Sequence, residues 1–369
     1  MSDVIHKLNQ FNDPRDSKKV IHPLATILFI AVCAIFCGAQ GWEDIVLWAE
    51  THEDWLKKYV DLSRGLPSYS TYRRAFIIIS PACWGKLIRD VVWSSHPERK
   101  EEDQVPIDGK TLRASKCDAK GVKAIQMVSA WSVENNIILG EVKTDSKSNE
   151  ITAIPLLLEL LDLEGATVSL DAMGCNEKII SKILEQEAHY VIGLKKNQPK
   201  LFEAIEKYSQ NQGKSVNNLV DDYFDESHGR CVRRRYFAFD VPPEIKTLGF
   251  TQMNTIIATE TISSSKYTKE ISAEWRYYLT DHDKLNSKLA SYVRGHWGVE
   301  SMHWCLDVHL NDDKDKKYEE NAAENFAKTK RFLMNLVKSN PPKGKKRSLR
   351  LNLKLVGWDL DYLTRLIFS

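Results

Sequence analysis

The apolar positions of the chain fall into distinct textures. Through the first hundred residues they recur at helical spacing, as at Ile45, Trp48, Trp55 and Tyr59, with no strand run among them. The stretch Pro23 to Ala39 (PLATILFIAVCAIFCGA) is almost wholly apolar. A bilayer-spanning helix needs roughly 20 such residues, so this shorter run predicts a buried core helix with Pro23 in its first turn, a membrane anchor being the competing reading. GLPSYSTYRRAF (65–76) reads as a turn and then a capped helix that presents Arg73 and Arg74. That suits the second helix of a helix-turn-helix, where basic side chains meet phosphates or base edges. A solvated basic helix face gives the same pattern.

From residue 105 the pattern turns to strands: VPIDGK, AIQMVSAWSV and IILGEVK, with Asn135 and Asn136 supplying a hairpin turn. A helix over about 150–162, strand ATVSLDA, a helix from about 176 to 188, strand HYVIGLK and a helix after Pro199 follow. Hairpins followed by helix-linked crossovers predict an α/β fold: a mixed five-stranded sheet flanked by helices, its first and fourth strands side by side, as in a ribonuclease H-like core.

Segments CVRRRYFAFDV, TQMNTIIATET and EISAEWRYYLT then predict an all-β insertion. Trp275 within it reads as a core residue beside Tyr277, or as a platform for an unpaired base. One long helix is predicted from about Asn286 to Val308. The segment KSNPPKGKKRSLRLNLK (338–354), with Lys345, Lys346 and Arg347, carries basic residues and no acid. It suits a phosphate backbone, or is a flexible solvated linker. The organisation expected is a helical, DNA-binding N-terminal domain over 1–100 and a catalytic core over 101–212. A β-rich insertion over 213–284, a helical completion of the core over 285–338 and a basic segment over 339–369 follow.

Composition narrows this only slightly. With 43% hydrophobic residues the chain is not of a disordered class. Its 52 basic and 50 acidic residues leave a net charge of +2, so overall charge selects no partner. Seven scattered cysteines without a CxxC pair argue against a disulfide framework and a zinc ribbon, and fit a reducing cytosol. The opening MSDVIHKLNQ lacks the apolar core of a signal peptide.

The candidate chemistry rests on acids in costly places. Asp108 lies inside an apolar strand between Ile107 and Gly109, where a carboxylate needs a partner or a cation. Asp171 ends the strand TVSLDA. Side by side, two such charges repel, and a divalent cation is the natural relief. On an uninterrupted late helix, Tyr292, His296, Glu300, His303 and Asp307 share an arc of about 80°, with Val293, Trp297, Trp304 and Val308 as a neighbouring apolar stripe lining a packed groove. A solvated polar face is the alternative. Carboxylate oxygens without a compact Cys/His set favour Mg²⁺ or Mn²⁺. Two such ions about 4 Å apart serve phosphodiester chemistry. Glu300 and His303 also form the Glu-x-x-His spacing of di-iron bundles, which needs a second copy that the sequence lacks.

At these residues the chain resembles the transposases of the H-repeat-associated insertion-sequence family. The resemblance is carried by IDGKTLRAS (107–115), KSNEITAIPLLLELLDLEGATVSLDAMGCN (147–176), YVIGLKKNQPKL (190–201), HGR (228–230) and RGHWGVESMHWCLDVHLNDD (294–313). DPRDSKKVIHPL (13–24) and PSYSTYRRAF (67–76) extend it over nearly the whole chain. It implies a DDE transposase with a ribonuclease H-like core, in which Asp108, Asp171 and Glu300 hold two Mg²⁺ or Mn²⁺ ions. The implied partners are double-stranded DNA, as terminal inverted repeats and target, and further copies of the chain in a homodimer or larger assembly; the implied location is the cytoplasm, on the nucleoid. A domesticated, non-cutting DNA binder is the alternative. Ser301 stands where the family commonly has Asn, and Asn176 where Gln is usual. Wider relatives carry a Tyr, Arg, Glu, Lys signature on the last helix; here His296 lies four before Glu300 and Asp307 seven after, so its grip on the transposon end does not transfer. Candidate DNA contacts are Arg73, Arg74, Lys195, Lys196, His228, Arg230, His296, Lys345, Lys346 and Arg347. Lys195 and Lys196, at the expected catalytic end of a strand, could equally be ordinary strand-end lysines.

Overall fold

A computed structural model of the protein describes residues 4–95, 102–144, 150–227, 230–250, 252–265 and 271–368. Its first part is helical: α1 (Val4–Asn9), α2 (Leu24–Phe36), α3 (Trp42–Thr51), α4 (Glu53–Leu56), α5 (Tyr69–Ile78) and α6 (Pro81–Ser95). Pro23 caps α2, and all of that helix except Ala25 is buried among protein neighbours. This is the core reading of the apolar stretch. No helix among the described residues is long and apolar enough to cross a membrane.

The strands are β1 (Gln104–Thr111), β2 (Gln126–Ser132), β3 (Ile137–Lys143), β4 (Thr167–Leu170) and β5 (His189–Leu194), with α7 (Glu150–Leu158), α8 (Glu177–Leu184) and α9 (Pro199–Gln212) between and after the later ones. Asn136 takes the left-handed conformation (φ 57°) that the tight β2–β3 turn demands. Then come β6 (Leu219–Ser227), β7 (Arg230–Asp240), α10 (Pro243–Lys246), β8 (Thr255–Ser265) and β9 (Ile271–Thr280). All pair in one nine-stranded sheet of order β3-β2-β1-β4-β5-β9-β8-β7-β6. The first and fourth strands are parallel neighbours, as expected.

The predicted five-stranded sheet with a separate insertion is corrected here. β9 pairs antiparallel with β5 from Val191–Thr280 to Leu194–Tyr277, so the later strands continue the same sheet. Alternation identifies a strand but not its partner, and the unpaired backbone edge of β5 is what recruits β9. The reading of the sequence also missed β6. Its acids Asp221, Asp222, Asp225 and Glu226 hide it, although Asp222 is paired across the ladder with Arg233 of β7 at 2.5 Å and Asp221 with the more distant Arg294 at 2.6 Å.

The last part holds α11 (Leu289–Gly295), α12 (Gly298–Leu310), α13 (Ala322–Ser339), α14 (Leu349–Trp358) and α15 (Leu360–Phe368). The single helix expected from Asn286 to Val308 is thus two. The break follows Tyr292, whose carbonyl accepts from the Gln104 amide at 2.6 Å, while Gly295 leaves room for that same side chain. Helical phase shifts with it. Trp297, Trp304 and Val308 are exposed instead of lining a packed groove, and Val299, Met302, Leu306 and Leu310 form the buried seam. α13 runs buried between α6 and β3. After the basic stretch the chain is not merely a tail: α14 and α15 pack on α2 and α1, and Phe368 rests against Phe29 and Tyr59.

Candidate active site

The parallel pairing of β1 and β4 ends with Ile107 opposite Leu170. Asp108 is the next residue of β1, and Asp171 directly follows the last residue of β4, so the two carboxylates lie at the same end of the β1–β4 pairing. Asp171 caps a short turn of 3-10 helix, its Oδ1 accepting from Met173 N at 2.8 Å. Glu300, exposed, sits in the first turn of α12, which packs on β1.

Burial pushes the Asp108 carboxyl up to about 7. The charges of Glu150, Asp171 and Glu300 push the same way, against a hydrogen bond from the Gly109 backbone. Two of the acids singled out in the sequence, Asp171 and Glu300, therefore act on the third, Asp108, and Glu150 acts with them. Glu150 opens α7 and is raised by burial first and Asp171 second, with a hydrogen bond from Gln126 opposing. The sequence offered no reason to choose it, because a glutamate in the first turn of a helix is ordinary.

On the α12 side, His303 Nδ1 lies 3.5 Å from Asp108 Oδ2. Burial, with Arg331 and Lys110 nearby, pushes His303 down to about 3, so the ring is neutral at neutral pH and contributes no countercharge. Lys110, a buried cation two residues on from Asp108, is already committed to Asp307 (2.6 Å) and Asp313 (2.9 Å). Asp108 consequently keeps an excess of negative neighbours. No group of three or more His, Cys, Asp or Glu among the described residues is gathered closely enough to hold an ion as it stands. The donors nonetheless fit a hard divalent cation: they are all carboxylate oxygens, and their mutual repulsion lacks a local base.

The remaining candidates scatter. Lys195 and Lys196 are exposed just past β5, at the same sheet end as Asp171; Asn197 ties their loop to the Asp171 turn by donating to Ala172 O at 2.7 Å. His296 is held by Ser169 Oγ at 3.2 Å, and burial lowers its proton affinity. Arg73 is paired with Glu319, and Arg74 folds back on Ser70. Arg230 is exposed at the start of β7, while Lys345, Lys346 and Arg347 are exposed before α14. His228 lies outside the described residues. Trp275 stacks on Phe237 at 5.9 Å with Lys214 over its ring, which supports the core reading.

Comparison with known proteins bears on the whole of this arrangement. Residues 99–336 match the transposase DDE domain family, and residues 5–90 match the family of domains associated with it. The H repeat-associated putative transposase YhhI of Escherichia coli K12 is 36% identical over 368 residues, covering 96% of this chain and 95% of its own. A putative transposase, YncI, of Escherichia coli O157:H7 is 38% identical over 334 residues, covering 88% of this chain and 85% of its own. A shorter protein named inactive transposase YbfQ, from Escherichia coli K12, is 47% identical over 62 residues, which is 17% of this chain and 74% of its own. A domain match spanning the sheet, the acids at its end and α12, together with near full-length relatives, makes the chain a member of the DDE transposase family.

Proposed function

We propose that the protein cuts DNA at the ends of an insertion sequence and joins those ends to target DNA, using a ribonuclease H-like core formed by β1 to β5 and their helices. Asp108, Asp171 and Glu300 hold the divalent ions, Mg²⁺ or Mn²⁺. The observation that carries this reading is the placement of Asp108 and Asp171 one step beyond the last β1–β4 pair, with Glu300 acting on the same carboxyl. A bound ion of this class supplies charge stabilisation at phosphorus and acidifies water.

The chain's own groups do the rest. Asp171 is oriented by its own backbone cap, and His303, kept neutral, packs against Asp108 without spending its charge. Lys195 and Lys196 present positive charge where a phosphate backbone enters the sheet end. Water adds to the scissile phosphorus and expels a 3′-hydroxyl, which then displaces a 3′-oxygen from a target phosphodiester. Each step exchanges one P–O bond for another, and no covalent protein intermediate is needed. Arg230, Lys345, Lys346 and Arg347 extend the DNA contact, and two or more copies assemble on it.

The test is a nicking assay on duplex DNA carrying the inverted repeats that flank this gene, with Mn²⁺ or Mg²⁺. Wild type nicks it, and Asp108→Ala binds the same DNA without nicking. Nicking that survives Asp108→Ala refutes the assignment. Binding without nicking by wild type favours a non-cutting relative; one similar protein is named an inactive transposase.

A further inference from the structure

We propose that Glu150 is a fourth carboxylate of the ion-binding site, admitted to it by the bare α-carbon of Gly109 and aimed by Gln126. The inference rests on the reading just given and extends it to a residue outside the Asp, Asp, Glu set.

Three observations separate Glu150 from an ordinary glutamate at a helix start. The first is where its side chain goes. A β-carbon on residue 109 would lie 2.0 Å from Glu150 Oε1 and 2.4 Å from its carboxyl carbon, so the carboxyl group occupies the volume that any other residue at 109 would fill. Gly109 has no positive φ to explain it. The glycine is explained by the acid it makes room for, directly beside Asp108.

The second is what holds it. Gln126 Nε2 donates to Oε1 at 2.5 Å, and Gln126 is fixed in β2 opposite Thr111 of β1. A neutral amide orients a carboxylate without cancelling its charge, and it leaves the other oxygen available. Among the described residues no basic group acts on Glu150, whereas Asp171 does.

The third is the charge balance around it. Several other buried or half-buried acids are paired with bases, Glu141 and Asp312 with Arg331, Asp315 with Lys317 and Lys330, Glu324 with Lys328. At the end of β1 and β4 the pairing is different. A half-buried Glu150 faces Asp171 and Asp108 with only an amide for company, an arrangement that a divalent cation stabilises and that its absence penalises.

The test is Mn²⁺ binding by the full-length protein, followed by calorimetry and by the spin-resonance signal of free Mn²⁺, with ion-free melting temperatures alongside. Glu150→Gln keeps the shape and the hydrogen bond from Gln126. It is expected to weaken Mn²⁺ binding about tenfold or more, while raising the melting temperature of the ion-free protein because repulsion is relieved. Glu150→Asp should recover part of the affinity. Gly109→Ala should mimic the loss by displacing the carboxyl. If Asp108→Asn abolishes Mn²⁺ binding but Glu150→Gln leaves it unchanged, the fourth carboxylate is wrong and the proposed function stands. If wild type binds no Mn²⁺ at all, both fall. A lower ion-free melting temperature for Glu150→Gln with unaltered affinity would mark a purely structural residue and overturn the proposal.

Discussion

Arg73 Nε donates to Glu319 Oε2 at 2.5 Å, joining α5 to the segment before α13 across 246 residues of sequence. The second guanidinium nitrogen reaches the other carboxylate oxygen, so the pair is bidentate. The residue that the sequence offers as a reader of DNA is thereby a clasp between the N-terminal helices and the part that matches the DDE domain. Arg73→Ala and Glu319→Gln should each lower the melting temperature by about 1–2 °C at low salt, and the double substitution should cost no more than one. Melting curves of the three variants check this. Should Glu319→Gln leave melting untouched and tighten DNA binding, Arg73 is a DNA contact held in reserve.

Asp108 makes the ion-free protein sensitive to alkali. The unfolded chain releases this proton near 3.8 and the folded one near about 7, so the folded state holds the extra proton between those values. Stability therefore falls as pH rises through that window. His282, pushed down to about 4 mainly by burial, and His303, at about 3, work oppositely: their contribution is lost as pH falls below 6.5. Comparing Asp108→Asn with wild type isolates the carboxyl. The variant should melt about 2–5 °C higher at a pH of about 7.5 and equally near a pH of about 4, with no further rise on adding Mn²⁺. An equal difference at both pH values would contradict the assigned shift.

Lys195 and Lys196 stand exposed just beyond β5, at the sheet end of Asp171. If they meet phosphates, replacing either with Ala should reduce the salt dependence of DNA binding by about one unit of slope, uniformly across sequences. Fluorescence anisotropy over a salt series measures it. A parallel displacement of the curve with unchanged slope would assign the loss to something other than phosphate contact.

Gly295, the last residue of α11, is tightly enclosed. A β-carbon there would fall 2.0 Å from Gln104 Oε1, and Gln104 cannot retreat cheaply, because its amide is bound to Ser169 Oγ and Tyr292 O in a buried pocket. Ser169 in turn holds His296. Gly295→Ala should cost about 1–3 kcal/mol in denaturant unfolding, a typical charge for overpacking. A cost below the measurement error would show that the Gln104 network yields freely.

Much of this was legible in the sequence, for reasons that individual residues make clear. Asp108 and Asp171 stand out because a charge in an apolar strand is costly, and the β–α alternation is enough to put their strands side by side. Glu150 does not stand out, since its inward turn depends on a missing side chain at Gly109 on another element. Trp297 and Trp304 mislead because a helical wheel assumes an unbroken helix, and Gln104, which is packed against α11 just before the break, lies almost two hundred residues earlier. β6 is hidden by acids, two of which find their arginines on other elements, Asp222 at Arg233 of β7 and Asp221 at Arg294. Local pattern reports the cost of each residue, while tertiary partners decide which costs are met.

The β5–β9 seam has one further consequence. Because β6 to β9 continue the hydrogen-bonded ladder of the strands beside Asp171, swinging this arm as a flap would break the β5–β9 pairs from Val191–Thr280 to Leu194–Tyr277. A fit between arm and DNA that leaves this seam intact comes from the DNA bending, or from how neighbouring molecules approach.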